Sequence, residues 1–147
     1  MKKEIKLNEV EELDETNPNI IDLSEKTILV VDDIDINRSI LIETLKLGNA
    51  KVIDVENGQI AVDTFAKDYQ TIDLILMDIR MPVMDGYEAT RIIRTLNEKG
   101  KVIPIIAVSA HLYQKDIYKA FDAGMTDHLP KPIDVSKLYE IIARNIK

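Results

Sequence analysis

Three short runs of apolar residues constrain the fold more than any other feature of this sequence. They occupy residues 28–31, 74–77 and 105–108, and none of them contains a polar side chain. A strand with one face in water alternates polar and apolar residues, whereas an unbroken apolar run is typical of a strand that is buried on both faces. The three runs therefore predict central strands of a sheet that is covered on both sides.

Segments with helical periodicity separate these runs. In the clearest, Ala89, Ile92, Ile93 and Leu96 repeat at the i, i+3, i+4, i+7 spacing of an amphipathic helix. Apolar stripes predict four more helices, through Ile40, Leu41, Thr44 and Leu45; Ala61, Val62 and Phe65; Ile117, Ala120 and Phe121; and Leu138, Ile141 and Ile142. With further strands at residues 51–55 and around Leu129, the strand–helix alternation occurs five times. It predicts an α/β fold, a doubly wound parallel sheet with helices on both faces.

Charge is unevenly distributed along the chain. Residues 1–25 hold eight acidic and three basic side chains of a protein whose net charge is −7. We interpret residues 1–25 as an acidic linker or tail, although Ile20, Ile21 and Leu23 could dock on a folded domain that spans residues 26–147. Neither part has the basic stripe that would neutralise phosphates, so we expect no nucleic acid among the partners.

Hydropathy and cysteine content indicate where the chain acts. The longest apolar stretch, residues 102–108, is seven residues long and contains a proline, whereas a membrane span needs about 20 residues. Acidic residues follow the first three residues, where an export signal would be apolar, and the chain has no cysteine. We expect a cytoplasmic location and no membrane contact.

Polar residues that could bind a ligand or take part in a reaction follow the predicted strands. Asp32 and Asp33 end the first apolar run, Asp78 ends the second, Ser109 ends the third, and Lys131 follows the last strand. Ligands of doubly wound sheets bind at the carboxyl ends of the strands. Each residue alone would be read as a turn former, a helix cap or a surface lysine. Together they indicate one site with a nucleophile, a hydroxyl and an ammonium.

The three carboxylates of this site point to a cation. Two unit charges 4 Å apart interact by about 4 kcal/mol at an effective dielectric constant of 20, so three clustered acids repel strongly unless a cation lies among them. Hard oxygen ligands with room for water favour Mg²⁺ or Mn²⁺. A divalent cation also neutralises phosphoryl oxygens, and a carboxylate nucleophile can then attack phosphorus.

Several motifs add a family resemblance to these observations. The motifs are Val30-Val31-Asp32-Asp33, Asn57-Gly58, Leu76-Met77-Asp78, Met81-Pro82-Val83-Met84-Asp85-Gly86, Val108-Ser109-Ala110, Ala123-Gly124 and Lys131-Pro132. In these motifs, and in their order and spacing, the sequence from Lys26 to the C-terminus, about five-sixths of the chain, resembles the receiver domain of response regulators and hybrid histidine kinases. Residues 36–38 and 128–133 are most similar to receivers of hybrid kinases.

The resemblance implies a function in a two-component phosphorelay. It implies a flavodoxin-like sheet of strand order 2-1-3-4-5, in which Asp78 accepts a phosphoryl group from a histidine kinase or a histidine phosphotransfer domain. Such a domain catalyses its own phosphorylation and dephosphorylation. It also implies a cis peptide bond between Lys131 and Pro132. The chain could be a stand-alone regulator or a piece of a hybrid kinase.

The resemblance also implies roles for the other site residues. Asp33, the Asp78 carboxylate and the backbone carbonyl of Arg80 would bind Mg²⁺ directly, and Asp32 would act through a bound water. Ser109 and Lys131 would contact the phosphoryl oxygens.

At one position the chain departs from the family pattern. An aromatic side chain usually stands three residues before the lysine and follows Ser109 inward on phosphorylation, but here that residue is His128. We expect the surface formed by the last two predicted helices and the last strand to respond weakly to phosphorylation. Signalling would depend on phosphotransfer at a surface near Ile36, Asn37 and Pro132.

Two alternatives remain open on the sequence. The chain could be a receiver-like docking module that is never phosphorylated. Asp33 and Asp35 also form a D-x-D pair, as in phosphatases of the haloacid dehalogenase type that form an aspartyl phosphate. That reading leaves Asp78 and residues 81–86 unexplained.

Overall fold

The sheet has the predicted topology. The computed structural model describes residues 19–110 and 112–146. Its strands are β1 (Thr27–Val31), β2 (Lys51–Val55), β3 (Leu74–Asp78), β4 (Ile105–Ser109) and β5 (Asp127–Pro130). All neighbouring strands are parallel and their order is β2-β1-β3-β4-β5. The five-stranded parallel sheet of order 2-1-3-4-5 is therefore confirmed.

Six helices connect and flank the strands in the described part of the chain. They are α1 (Asp35–Lys46), α2 (Gly58–Asp68), α3 (Gly86–Leu96), α4 (Glu98–Val102), α5 (Gln114–Ala123) and α6 (Val135–Asn145). Five of them correspond to the predicted helices, and the short α4 was not predicted. Among the described residues, no helix combines the length and the apolar character that crossing a membrane requires.

The alternating side chains of each central strand enter two separate cores. Leu29 and Val31 of β1 pack with α2, α3 and α5 on one face of the sheet. Ile28 and Val30 pack with α1 and α6 on the other face. Burial on both faces explains why β3 and β4 contain no polar residue before their last positions, and why β1 is apolar after Thr27.

Part of the predicted acidic segment joins the second core. Residues 1–18 lie outside the described residues. Leu23 is 1% exposed and packs in the core formed with α1 and α6, and its backbone N donates a hydrogen bond to the Gly48 carbonyl at 2.7 Å. Leu23 is thus a core residue although it precedes the first strand.

Two apolar residues that the helical stripes placed inside are exposed. Ile40 of α1 is 48% exposed because Leu41, Thr44 and Leu45 define the buried face and Ile40 lies at its edge. Phe121 of α5 is 51% exposed, whereas Asp116 on the same helix is 3% exposed. In α1 the predicted buried stripe is one residue too wide, whereas in α5 the buried face contains Asp116, Ala120 and Ala123 and is displaced from the predicted one.

Candidate functional site

Three acids converge where β1 and β3 end. Asp78 is the last residue of β3, and Asp32 and Asp33 follow β1 directly. Asp32 and Asp78 are buried, and Asp33 is half-buried. One carboxylate oxygen from each of the three lies within 4.8 Å of the others. The clustering predicted from the strand ends is therefore present.

Lys131 reaches back over these acids from the end of β5. Its Nζ lies 2.8 Å from Asp32 Oδ2 and 3.6 Å from Asp78 Oδ2. The peptide bond between Lys131 and Pro132 is cis, as predicted, and the Lys131 backbone N donates a hydrogen bond to the Ser109 carbonyl at 2.9 Å. The last strand thereby brings one positive charge into the acidic crevice.

Asp78 binds a proton more tightly than an ordinary aspartate does. Its pKa is raised to about 6, mainly by burial, and the charges of Asp32 and Asp33 contribute to this rise. The ammonium of Lys131 lowers the pKa of Asp78 but does not offset these effects. A cation that enters the crevice would therefore stabilise the ionised form that a nucleophile requires.

The donor set fits a hard divalent cation. Three carboxylates from two strand ends offer oxygen atoms that lie within 4.8 Å of one another, and Asp33 is only half-buried. Mg²⁺ prefers oxygen ligands and keeps several of its waters. The residues present therefore match the chemistry that this ion needs.

Ser109 and Arg80 are the two other predicted site residues near Asp78. Ser109 is the last residue of β4, one position beyond Val108, which pairs with Asp78 in the sheet, and it is 2% exposed. Arg80 follows β3, and its side chain is 63% exposed and lies 3.5 Å from Asp116 Oδ1. The guanidinium of Arg80 thus pairs with α5, while its backbone remains next to the crevice.

The loop between β3 and α3 folds back tightly against Asp78. The backbone N of Gly86 donates to the Ile79 carbonyl at 2.8 Å, and a Cβ on Gly86 would lie 2.2 Å from the Asp78 carbonyl oxygen. Only glycine allows this approach. The side chain of Asp85 caps α3 by accepting a hydrogen bond from Glu88 N at 2.9 Å. The end of the Met81-to-Gly86 motif therefore packs against the backbone of Asp78 and begins α3.

An apolar groove opens beside the crevice. It is lined by Asn37, Ile40 and Leu41 of α1 and by residues 131–133, and its volume is about 100 Å³. Ile40 is 48% exposed at this groove, and Ile36, on the same helix but not among the lining residues, is 65% exposed. Two residues of the predicted surface, Asn37 and Pro132, therefore line a groove with apolar walls.

Asp35 does not share the crevice. Its side chain is 91% exposed and pairs with Arg38 in the first turn of α1. A D-x-D phosphatase needs both aspartates at the reacting centre, so this geometry argues against the phosphatase alternative.

The structure also shows site-related residues that the sequence did not single out as functional. Arg38, noted only as part of a motif, binds the turn that carries the acids, and Asp116 of α5 pairs with Arg80. His128 on β5 is half-buried, and its ring meets the Phe121 ring edge-on with centroids 6.4 Å apart. These contacts join different elements of the fold and leave no periodic signal in the sequence.

Comparisons of this sequence with known proteins all indicate the same family. Residues 28–143 match the response regulator receiver domain. The two-component response regulator ORR41 of Oryza sativa subsp. japonica is 41% identical over 119 residues, which are 80% of this chain and 91% of that protein. Hybrid signal transduction histidine kinase L of Dictyostelium discoideum is 39% identical over 123 residues, 80% of this chain. The chain spans only 7% of the length of that kinase.

Solved structures agree with the sequence comparison. The receiver domain of sensor histidine kinase PA1611 from Pseudomonas aeruginosa PAO1, with magnesium coordinated in its active site cleft, matches with a TM-score of 0.75 and 38% identity. The match covers 82% of this chain and 96% of that one. A co-crystal structure from Saccharomyces cerevisiae, of the histidine phosphotransfer protein Ypd1 with the receiver domain of Ssk1, matches with a TM-score of 0.76 and 29% identity. It covers 84% of this chain and 90% of that one.

Proposed function

The chain belongs to the response regulator receiver domain family of two-component phosphorelays, and we propose that Asp78 is its phosphoacceptor. The observation that carries the assignment is the position of Asp78, which is buried at a strand end between Asp32, Asp33 and the ammonium of Lys131. This crevice offers a nucleophile together with the charges needed to receive a phosphoryl group.

In the proposed reaction, an Asp78 carboxylate oxygen attacks the phosphorus of a phosphohistidine on a partner. The phosphorus–nitrogen bond breaks, and the leaving imidazole takes up a proton. Lys131 and Ser109 bind the phosphoryl oxygens, Lys131 as a point charge and Ser109 as a hydroxyl donor.

We propose that Asp33, the Asp78 carboxylate and the backbone carbonyl of Arg80 hold Mg²⁺, or Mn²⁺ in its place, and that Asp32 acts through a bound water. The bound ion supplies positive charge to the phosphoryl oxygens. The acid cluster and the magnesium reported for the receiver domain of PA1611 support this assignment.

A histidine kinase or a histidine phosphotransfer domain is the proposed partner. Support comes from the Ypd1 complex with the Ssk1 receiver domain and from the apolar groove of α1 and residues 131–133, which opens beside the crevice. A cytoplasmic location would give the chain access to such a partner.

Labelling with a small phosphoryl donor tests the assignment of Asp78. With acetyl phosphate and Mg²⁺, the protein should gain one phosphoryl group in an acid-stable and base-labile bond. Asp78→Asn should gain none, whereas Asp122→Asn, which changes an exposed aspartate of α5, should match the wild type. Undiminished labelling of Asp78→Asn would refute the assignment, and a wild type that neither binds Mg²⁺ nor becomes labelled would favour the docking-only alternative.

A further inference from the structure

The side chain of Arg38 holds the turn that carries the two acids after β1. Its Nη1 donates a hydrogen bond to the backbone carbonyl of Asp32 at 2.7 Å. Its Nε donates to Asp54 Oδ2 on β2 at 3.2 Å, and its Nη2 pairs with Asp35. The side chain is only 16% exposed. One guanidinium thus connects the end of β1, the end of β2 and the first turn of α1.

The contact pattern requires the shape of a guanidinium. The three nitrogens of Arg38 donate in three directions within one plane, and each meets a different acceptor. A lysine ammonium could carry the same charge but would concentrate its donors at one point. Arginine is therefore needed for geometry as well as for charge.

The turn that Arg38 holds determines where two carboxylates point. Within it, Asp32 Oδ1 accepts a hydrogen bond from Ile34 N at 2.9 Å, while Oδ2 accepts one from Lys131. Asp33 lies between Asp32 and Ile34 in the chain, so the direction of its side chain depends on the backbone of the turn. We propose that Arg38 is a positioning residue that keeps Asp32 and Asp33 directed at Asp78. The proposal rests on the proposed function, in which this crevice binds Mg²⁺.

A purely electrostatic role for Arg38 would have the opposite effect on metal binding. A fixed positive charge near the acids repels an incoming cation, so removing that charge would strengthen Mg²⁺ binding. Removing a positioning contact leaves the acids misdirected and weakens Mg²⁺ binding. The sign of the change in Mg²⁺ affinity therefore separates the two roles.

The experiment compares Mg²⁺ dissociation constants of the full chain by isothermal titration calorimetry. We expect Arg38→Met and Arg38→Lys to weaken binding by about tenfold or more, the range found when partners of metal ligands are removed. Arg144→Met is the matched control, because it removes an ion-paired arginine that contacts Asp127 at β5 and none of the acids after β1. Its affinity should stay within about twofold of the wild type, well short of that range.

Folding of each variant is checked by circular dichroism. If Arg38→Met does not fold, Arg38→Lys still tests the proposal, because it retains the charge and the packed aliphatic part of the side chain. Unchanged or tighter Mg²⁺ binding in the folded Arg38 variants, with normal binding by the wild type, would overturn the role of Arg38 alone. Absence of Mg²⁺ binding by the wild type would overturn the proposed function and this role with it.

Discussion

Lys131 Nζ donates to Asp32 Oδ2 at 2.8 Å, so an ammonium that follows β5 is paired with a buried carboxylate that follows β1. The same nitrogen lies 3.6 Å from Asp78 Oδ2. Lys131 therefore lies beside both carboxylates that the proposed function assigns to metal binding and phosphorylation. In that function its ammonium would compete with a divalent cation and attract a phosphoryl group.

We expect Lys131→Met to bind Mg²⁺ more tightly, by roughly threefold or more, because the cation no longer competes with the ammonium for the same oxygens. Labelling by acetyl phosphate should nevertheless be slower, because a charge on the phosphoryl oxygens is lost. Calorimetry gives the affinity and intact-mass spectrometry the labelling rate. Lys137→Met, which changes an exposed lysine of α6, is the control. Weaker Mg²⁺ binding by Lys131→Met would mean that Lys131 organises the acids instead.

The pH dependence of stability offers a second test. The pKa of Asp78 is raised to about 6 in the folded, metal-free protein, so the folded state binds a proton there more tightly than the unfolded state does. This carboxyl therefore destabilises the fold increasingly as pH rises from its ordinary pKa, near 4, through 6, and its effect is complete above that.

Asp78→Asn removes the titrating group. In EDTA at pH 7.5 we expect the variant to be more stable than the wild type by about 1–2 kcal/mol, after allowance for solvent around a partly accessible crevice. Near pH 4 the difference should almost vanish. Urea unfolding at both pH values measures it, with Asp122→Asn as the control. An equal difference at both pH values would show that the ionisation of Asp78 is not the cause.

The fold and the acidic crevice could be predicted because their signals are local. A strand that is buried on both faces must be apolar along its whole length, and residues 74–77 show this without reference to any partner. The acids could be placed because parallel strands end at one edge of the sheet. Asp32, Asp33 and Asp78 needed only that rule.

Other features depend on contacts that no local pattern reveals. The five residues of α4 are too few for periodicity and include Gly100, which disfavours a helix. In the folded chain Asn97 caps this helix, and a Cβ at position 100 would lie 2.1 Å from the Ile93 carbonyl. Arg94 donates to the carbonyls of Gly100, Ile103 and Gly124, and no periodic pattern in the sequence indicates these partners.

Substitutions in the apolar groove beside the crevice should affect the binding of a protein partner but not the phosphorylation reaction itself. Ile40 lines this groove, is 48% exposed and does not belong to the acid cluster. Ile40→Glu should slow phosphotransfer from a phosphorylated histidine phosphotransfer protein by about tenfold or more, the effect of losing one central interface contact. Labelling by acetyl phosphate should be unchanged.

The matched control for that experiment is Ile60→Glu, because Ile60 is a similarly exposed isoleucine on α2, away from the groove. It should transfer at the rate of the wild type. Equal slowing by both substitutions, or slower acetyl phosphate labelling of Ile40→Glu, would mean that the groove is not the docking surface.

The last prediction concerns His128, which stands where the family usually has a larger aromatic residue. Its ring already packs edge-on against Phe121 of α5, and an imidazole fills less space than a phenol if Ser109 moves toward Asp78. We therefore expect beryllofluoride, a phosphoryl mimic, to shift amide NMR signals strongly at the crevice and α1 but weakly across α5, β5 and α6. His128→Tyr should extend the shifts over α5 and α6, and Asp78→Asn should abolish them everywhere. Strong wild-type shifts that spread from His128 across both helices would refute the prediction, because the smaller ring would then transmit the change as well as a tyrosine does.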